Sequence, residues 1–339
     1  MKAVGLTEYL AIADENSLRD FEIDRPVAKG HDLLVEVKAI AVNPVDTKVR
    51  SPKAKTEAQP RILGWDAAGI VREIGDKVTK FKPGDEVYYA GDITRPGGNS
   101  EYQLVDARIV GHKPKSLKFS AAAAFPLTSI TAWEALFDRM SISKAGADAG
   151  KSILIINGAG GVGSIAIQLA KKLAQLEVIA SASRPETIAW CQQLGADYVV
   201  NHRHNLAAEI TQIGYKTVDY ILCLNDTDGH WQAIVEAIKP QGKICTIVEN
   251  KQPLAMDTLK KKSAALVWEL MFTRSMYQTE NMAKQGKLLD EVSQLINNQT
   301  LISTCKDIVK PINAANLRKV HQRIEEGRAI GKIVLADWQ

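Results

Sequence analysis

The chain has 339 residues, 45% of them hydrophobic and 24% charged, with a formal net charge of +4. Such a length favours two domains, and such a composition suits a globular protein rather than a disordered or fibrous one. The small positive excess is scattered and its densest run is Lys260-Lys261-Lys262, a solvated face, so no nucleic-acid partner is expected.

No apolar run reaches the length of a membrane span, and MKAVGLTEYL lacks the apolar core of a secretory signal. Neither a membrane nor a secretory route is therefore expected. Cys191, Cys223, Cys245 and Cys305 lie far apart with no C-x-x-C pair, which argues against a zinc ribbon or a disulfide framework. A reduced, cytoplasmic chain is the simplest expectation.

Residues 1–122 are rich in short β-like runs broken by turn residues. The run 33–42 (LLVEVKAIAV) predicts a strand that stops at Asn43-Pro44. Residues 50–60 are polar and predict an exposed loop. Strands are expected within 64–74 and 82–89, the latter after a Pro-Gly-Asp turn, and at 101–105. Between them 91–100 (GDITRPGGNS) predicts a long mobile loop. Together these make a β-barrel-like domain.

The composition shifts near residue 120. Residues 120–140 predict a helix capped by Ser120 and interrupted at Pro126. Strands are then expected at 152–157, 176–182, 197–200, 218–224 and 243–248. Helices are expected between them at 162–174, 185–194, 205–213 and 229–238, the rhythm of a doubly wound parallel sheet. A further helical stretch is expected over 256–297 and a last strand over 331–336.

The most informative stretch is SILIINGAGGVGSIAIQLAKKLA at 152–174, which reads strand, glycine turn, helix. Gly158, Gly160 and Gly163 have the spacing G-x-G-x-x-G. The first permits the tight turn, the second lets backbone approach a pyrophosphate, and the third lets helix and strand pack closely. Gly161 and Val162 extend the cradle through their backbone N–H groups, at the positive end of the helix dipole. Flanking strand and helix on the correct sides make this a dinucleotide site.

A site for NAD commonly carries Asp or Glu at the end of the second strand, about 20 residues on, to bind the ribose 2′-OH. Here the run is Ala180-Ser181-Ala182-Ser183-Arg184, with no carboxylate. Arg184 can pair with a 2′-phosphate and Ser183 can donate to it, which favours NADPH. Glu186 is expected to cap the next helix. His202, in Asn201-His202-Arg203, is expected beside the adenosine end. His202 and His204 lack the further ligands a metal would need.

NPVD at 43–46, GWDAAG at 64–69, PLTSITAWEAL at 126–136, GAGGVG at 158–163 and the terminal GKIVL together resemble the medium-chain dehydrogenase/reductase superfamily. The likeness is greatest to its zinc-lacking quinone oxidoreductase branch, in the subgroup labelled zinc-type alcohol dehydrogenase-like proteins. It implies an α/β protein with a β-rich GroES-like catalytic domain over 1–122, completed by about 298–339. A Rossmann domain binding NADPH would span 123–297. It also implies a cleft between the domains and a homodimer or dimer of dimers.

Zinc-containing members carry a Cys where Asn43 stands and Gly-His-Glu where Gly64-Trp65-Asp66 stands. With thiolate and imidazole both absent, no metal is expected. The resemblance places Asn43 at the nicotinamide–substrate junction, makes Asp46 a site organiser, sets Thr131 near the nicotinamide and makes Lys332 a cofactor contact. Trp65 offers a plate for a flat quinone, and Tyr89, Arg95, Arg274 and Tyr277 are weaker candidates for the substrate side.

The function these residues imply is NADPH-dependent hydride transfer to a quinone, enone or enal without a metal. A zinc-dependent alcohol dehydrogenase and a non-catalytic NADPH-binding sensor are the alternatives.

Overall fold

The computed structural model describes residues 1–338, which divide into two compact units. One comprises Met1–Ile130 with Phe272–Gln339 and the other Thr131–Met271.

The first unit opens with β1 (Lys2–Tyr9), β2 (Arg19–Glu22), β3 (Asp32–Ala41), α1 (Pro44–Arg50) and β4 (Lys53–Ile62). β5 (Ala67–Ile74), β6 (Glu86–Tyr89), β7 (Tyr102–Asp106) and β8 (Gly111–His112) follow. β2, β1 and β4 form a small antiparallel sheet, while β3 pairs with both β5 and β7. Leu33, Val35, Val37 and Ile40 of β3 are buried among Ala67, Ala68 and Val71 of β5.

The segment expected to be a loop at 50–60 is in fact the end of α1 and most of β4. Six of the ten residues of β4 are exposed and only Ile62 is buried, so it needs no apolar alternation and leaves no strand pattern to read. The loop at 91–100 is pinned rather than mobile. Arg95 forks onto both oxygens of Asp32 at 2.8 Å, and the Gly97 N–H donates to the Ile62 carbonyl at 2.9 Å. A side chain at Gly97 would place its Cβ 2.3 Å from the backbone of Leu63.

α2 (Phe119–Ala122) has Lys118 at its N-cap position, two residues before the expected cap at Ser120. Pro126 opens α3 (Pro126–Trp133), where its missing N–H costs nothing. A π-helical segment, Glu134–Arg139, continues it.

The second unit is built on β9 (Ser152–Ile156), β10 (Glu177–Ser181), β11 (Tyr198–Val200), β12 (Val218–Cys223), β13 (Ile238–Thr246) and β14 (Ala265–Trp268). Between them run α4 (Gly161–Lys172), α5 (Pro185–Leu194), α6 (Leu206–Gln212) and α7 (Thr227–Ala237). All six strands are parallel, in the order β11-β10-β9-β12-β13-β14. From β9 the chain winds outward to β11, then returns to lay β12 on the other side of β9. The β9/β12 border is thus the topological switch point of a Rossmann sheet, where such folds bind ligands. Leu154, Ile179, Ile221, Trp231 and Ile244 are part of its core.

The stretch 256–297 is not continuously helical. It contains a 3-10 turn at Met256–Lys262, strand β14, α8 (Thr273–Met276) and α9 (Lys284–Asn297). A four-residue apolar run such as ALVW cannot be told from a helical segment by periodicity. From Phe272 the chain rejoins the first unit, so 272–297 does not belong with the nucleotide fold. There the Tyr88 hydroxyl donates to the Leu289 carbonyl at 2.5 Å. β15 (Cys305–Val309), α10 (Ala314–Glu325) and β16 (Lys332–Ala336) complete that unit, with β16 antiparallel to β3.

Candidate functional site

In the second unit β9 ends at Ile156, and Asn157 turns the chain with φ 67°, a left-handed conformation that Asn tolerates. Gly160 is the N-cap of α4 and supplies no capping side chain. Gly160, Gly161 and Val162 are half-buried at the positive end of a helix, and the Gly160 N–H is already donated to the Asn157 carbonyl at 3.2 Å.

The flanking glycines are fixed by packing. A Cβ at Gly158 would lie 2.8 Å from Ala180 Cβ and 3.2 Å from Cys191 Sγ. One at Gly163 would lie 2.5 Å from the carbonyl oxygens of both Asn157 and Gly158. Here the first and third glycines serve close packing against backbone and core, while at the half-exposed second a Cβ would meet Asn157 Nδ2 at 3.1 Å, the spacing of a dinucleotide-binding turn.

The ends of β9, β10 and β11 are tied together beside this turn. The Asn157 N–H donates to Ser181 Oγ at 2.9 Å, and His202 Nδ1 lies 3.2 Å from the same oxygen. Burial, then the neighbouring His230 and Arg203, hold the His202 pKa below the usual value. Ser183 and Arg184 are half-buried. Arg184 is the N-cap of α5, and its N–H donates to Thr187 Oγ1 at 3.0 Å. Thr187, rather than Glu186, therefore closes this helix start. Glu186 instead lies 3.1 Å from Arg184 Nε.

In the first unit a polar cluster is buried where β3 gives way to α1. Asn43, Asp46 and Asp66 are each 1% exposed and Lys332 is 3% exposed. The Asn43 N–H donates to Asp46 Oδ2 at 2.6 Å, a capping interaction with Pro44 in the first helical position. Asn43 Nδ2 donates to Asp66 Oδ2 at 2.9 Å, and the Leu127 N–H donates to Asp66 Oδ1 at 2.8 Å. Lys332 Nζ donates to the Val42 carbonyl at 3.0 Å and to Asn43 Oδ1, and lies 3.0 Å from Asp66 Oδ2.

Burial lifts the Asp46 carboxyl to a pKa of about 7, against the pull of the Asn43 amide and Lys332. Its second oxygen, Oδ1, is buried with no hydrogen-bond partner. Burial also raises Asp66, opposed first by Lys332 and then by the Leu127 amide.

Several expectations change accordingly. Both ends of the Asn43 amide are engaged inside the protein, so it does not present a free donor to a substrate carbonyl. Lys332 is likewise engaged by protein oxygens rather than presented to a cofactor. Trp65 is 1% exposed, with Nε1 donating to the Asp92 carbonyl at 3.1 Å and its ring edge-on to Phe272 at 6.1 Å. It is core, not an open plate. Tyr89 and Arg274 are buried, Arg95 is committed to Asp32, and Tyr277 is 73% exposed. Thr131 is buried on α3.

Two features escaped the sequence reading. One is Asp66 as the hub of the cluster, which a lone acid inside the apolar run LGWDAAG could have signalled. The other lies in the second unit, where Glu269 follows β14. Arg139 Nε meets it at 2.7 Å, and burial next to Glu134 raises its pKa above the usual carboxyl range. No local motif joins those three residues.

Comparison with known proteins agrees with the two-part architecture. Residues 29–115 match the alcohol dehydrogenase GroES-like domain family, and residues 161–290 match the zinc-binding dehydrogenase family. A zinc-type alcohol dehydrogenase-like protein of Staphylococcus epidermidis is 40% identical over 99% of both chains. The 2-methylene-furan-3-one reductase of Solanum lycopersicum is 30% identical over 99% of this chain and 79% of its own. A crystal structure from Rhizobium etli CFN 42, provisionally assigned as a zinc-dependent alcohol dehydrogenase, is 48% identical. It superposes with a TM-score of 0.96 over 100% of this chain and 98% of its own.

The zinc in those names does not fit the residues present. Zinc favours thiolate and imidazole donors at about 2.0–2.3 Å in a tetrahedral set. Here an indole without a free lone pair stands at 65, and the oxygens of Asn43 and Asp66 already face an ammonium group.

Proposed function

The chain belongs to the medium-chain dehydrogenase/reductase superfamily, and from that premise we propose that it is an NADPH-dependent reductase of quinones or other conjugated carbonyls, enones and enals, working without a metal. Bound NADPH would supply the hydride. The backbone N–H groups of Gly161 and Val162, beside Gly160, would hold the pyrophosphate. Arg184, with Ser183 and His202, would hold the 2′-phosphate, since the end of β10 offers no carboxylate to a ribose hydroxyl.

The observation that carries the choice of acceptor is the closed cluster of Asn43, Asp66 and Lys332. A simple alcohol or ketone asks for a Lewis acid on its oxygen. A conjugated acceptor spreads the incoming charge over its own π-system, and oriented hydrogen-bond donors then suffice. The tomato relative, named for reduction of a conjugated methylene ketone, supports the same class. Of the candidates carried from the sequence, Asp46 keeps a buried, unpartnered oxygen for positioning work and Thr131 remains a candidate beside the nicotinamide.

We also propose a homodimer and a cytoplasmic location. β14 is an edge strand, and Trp268 and the adjoining Leu270 are each 50% exposed, which suits a partner surface. All four cysteines are free, as in a reducing compartment. No helix among the described residues is long and apolar enough to cross a membrane. The test is turnover of NADPH and NADH with a panel of quinones, enones, aldehydes and alcohols. NADPH oxidation by conjugated acceptors is expected. Turnover of simple alcohols, or of nothing despite tight NADPH binding, would point to the zinc-enzyme or sensor alternative.

A further inference from the structure

Lys332 opens β16, yet its side chain runs inward and its ammonium meets three oxygens from two separate stretches of chain. These are the Val42 carbonyl at 3.0 Å, Asn43 Oδ1, and Asp66 Oδ2 at 3.0 Å. An ammonium has three N–H donors, and three oxygens receive them, so its hydrogen-bonding capacity is filled. The lysine also fixes the neighbouring amide. With Asn43 Oδ1 facing Nζ, Nδ2 must face Asp66 Oδ2, which it does at 2.9 Å.

The cluster is dry: Asp66 is 1% exposed, Asn43 1% and Lys332 3%. A buried carboxylate must be paired or neutralised, and removing one partner leaves the other uncompensated. Asp46 also feels this charge, because Lys332 pulls its pKa down and Asp66 pushes it up. One cation thus joins the end of β3, the start of α1, the approach to β5 and the start of β16. The distances are those of hydrogen bonds, about 1 Å longer than zinc–oxygen bonds.

We propose that the Lys332 ammonium is the resident cation of this oxygen site, holding Val42, Asn43 and Asp66 together as a metal would, and that the site emptied by truncating Lys332 takes up a primary alkylammonium ion. The inference is independent of which acceptor the protein reduces.

The test uses the full-length protein and Lys332→Ala, whose missing atoms correspond to n-propylamine. Thermal unfolding is followed with n-propylammonium, tetramethylammonium or propan-1-ol added. Lys332→Ala is expected to melt about 5–10 °C below the parent. Propylammonium should restore at least half of that loss and do so saturably. Tetramethylammonium, charged but without N–H donors, and propanol, uncharged, should restore none, and the parent should respond to none of them. After equilibration with zinc and dialysis, the parent should retain far less than one zinc per chain. A folded Lys332→Ala that ignores propylammonium overturns the proposal, as does one zinc per parent chain that is lost on Asn43→Ala. If the variant does not fold, it is refolded from urea with each additive. Recovery with propylammonium alone supports the proposal, and equal recovery with all three, or recovery with none, overturns it.

Discussion

Asp46→Asn isolates the energetic cost of burying a carboxyl in the first unit. Asp46 is 1% exposed, Oδ2 accepts the Asn43 N–H at 2.6 Å, and Oδ1 has no partner. Burial lifts its pKa from 3.8 to about 7. The folded state therefore holds this proton more tightly than the unfolded chain does. Stability is complete below the unfolded value near pH 4 and is lost progressively as pH rises through about 7. The loss by pH 8 is roughly 4 kcal/mol, at about 1.4 kcal/mol per tenfold change in proton affinity. Asparagine keeps a carbonyl to accept the Asn43 N–H but never ionises, at a cost of roughly 1 kcal/mol for the weaker cap. Urea unfolding followed by circular dichroism at pH 5, 6, 7 and 8 reads the difference. At pH 5 the parent has already lost roughly 1.7 kcal/mol, so the variant should lie within about 1 kcal/mol of it there and be roughly 3 kcal/mol more stable at pH 8. Parallel pH curves for the two proteins would refute the reasoning.

Other expectations can be checked alongside. Gly163→Ala would drive a Cβ to 2.5 Å from two backbone carbonyls, so it should cost about 1–3 kcal/mol and weaken NADPH binding at least tenfold by titration calorimetry. Arg184→Ala should weaken NADPH by about 10–100-fold and leave NADH nearly unchanged, the loss of one charge-assisted phosphate contact; equal loss for both would remove Arg184 from the 2′-phosphate. Leu270→Glu, on the half-exposed stretch after β14, should turn a dimer into a monomer by light scattering without changing the helix and strand content.

Much of the second unit was legible because its signals are local. G-x-G-x-x-G needs only a strand before and a helix after, and α5 is found at Pro185–Leu194 where periodicity placed it. Exposed β4 left no alternation to read, and β14 was too short to separate from the helical pattern around it. The buried cluster was legible in part. Asn43, Asp46 and Lys332 could each be singled out from motifs, and Asp66 could be seen beside Trp65. That they face one another could not be read, because Lys332 comes 289 residues after Asn43 and only the pairing of β16 with β3 brings them together. Trp65 shows the converse. An aromatic replacing a metal ligand suggests a substrate plate, but filling the vacated space with core is the alternative that packing selects.

The most direct test is steady-state oxidation of NADPH by a quinone and by an enone, measured before and after exhaustive chelation and with metal content determined on the same samples. Undiminished turnover of both acceptors by metal-free protein, with NADH a poor substitute, is the predicted result. Activity that disappears on chelation and returns with one equivalent of zinc would contradict it.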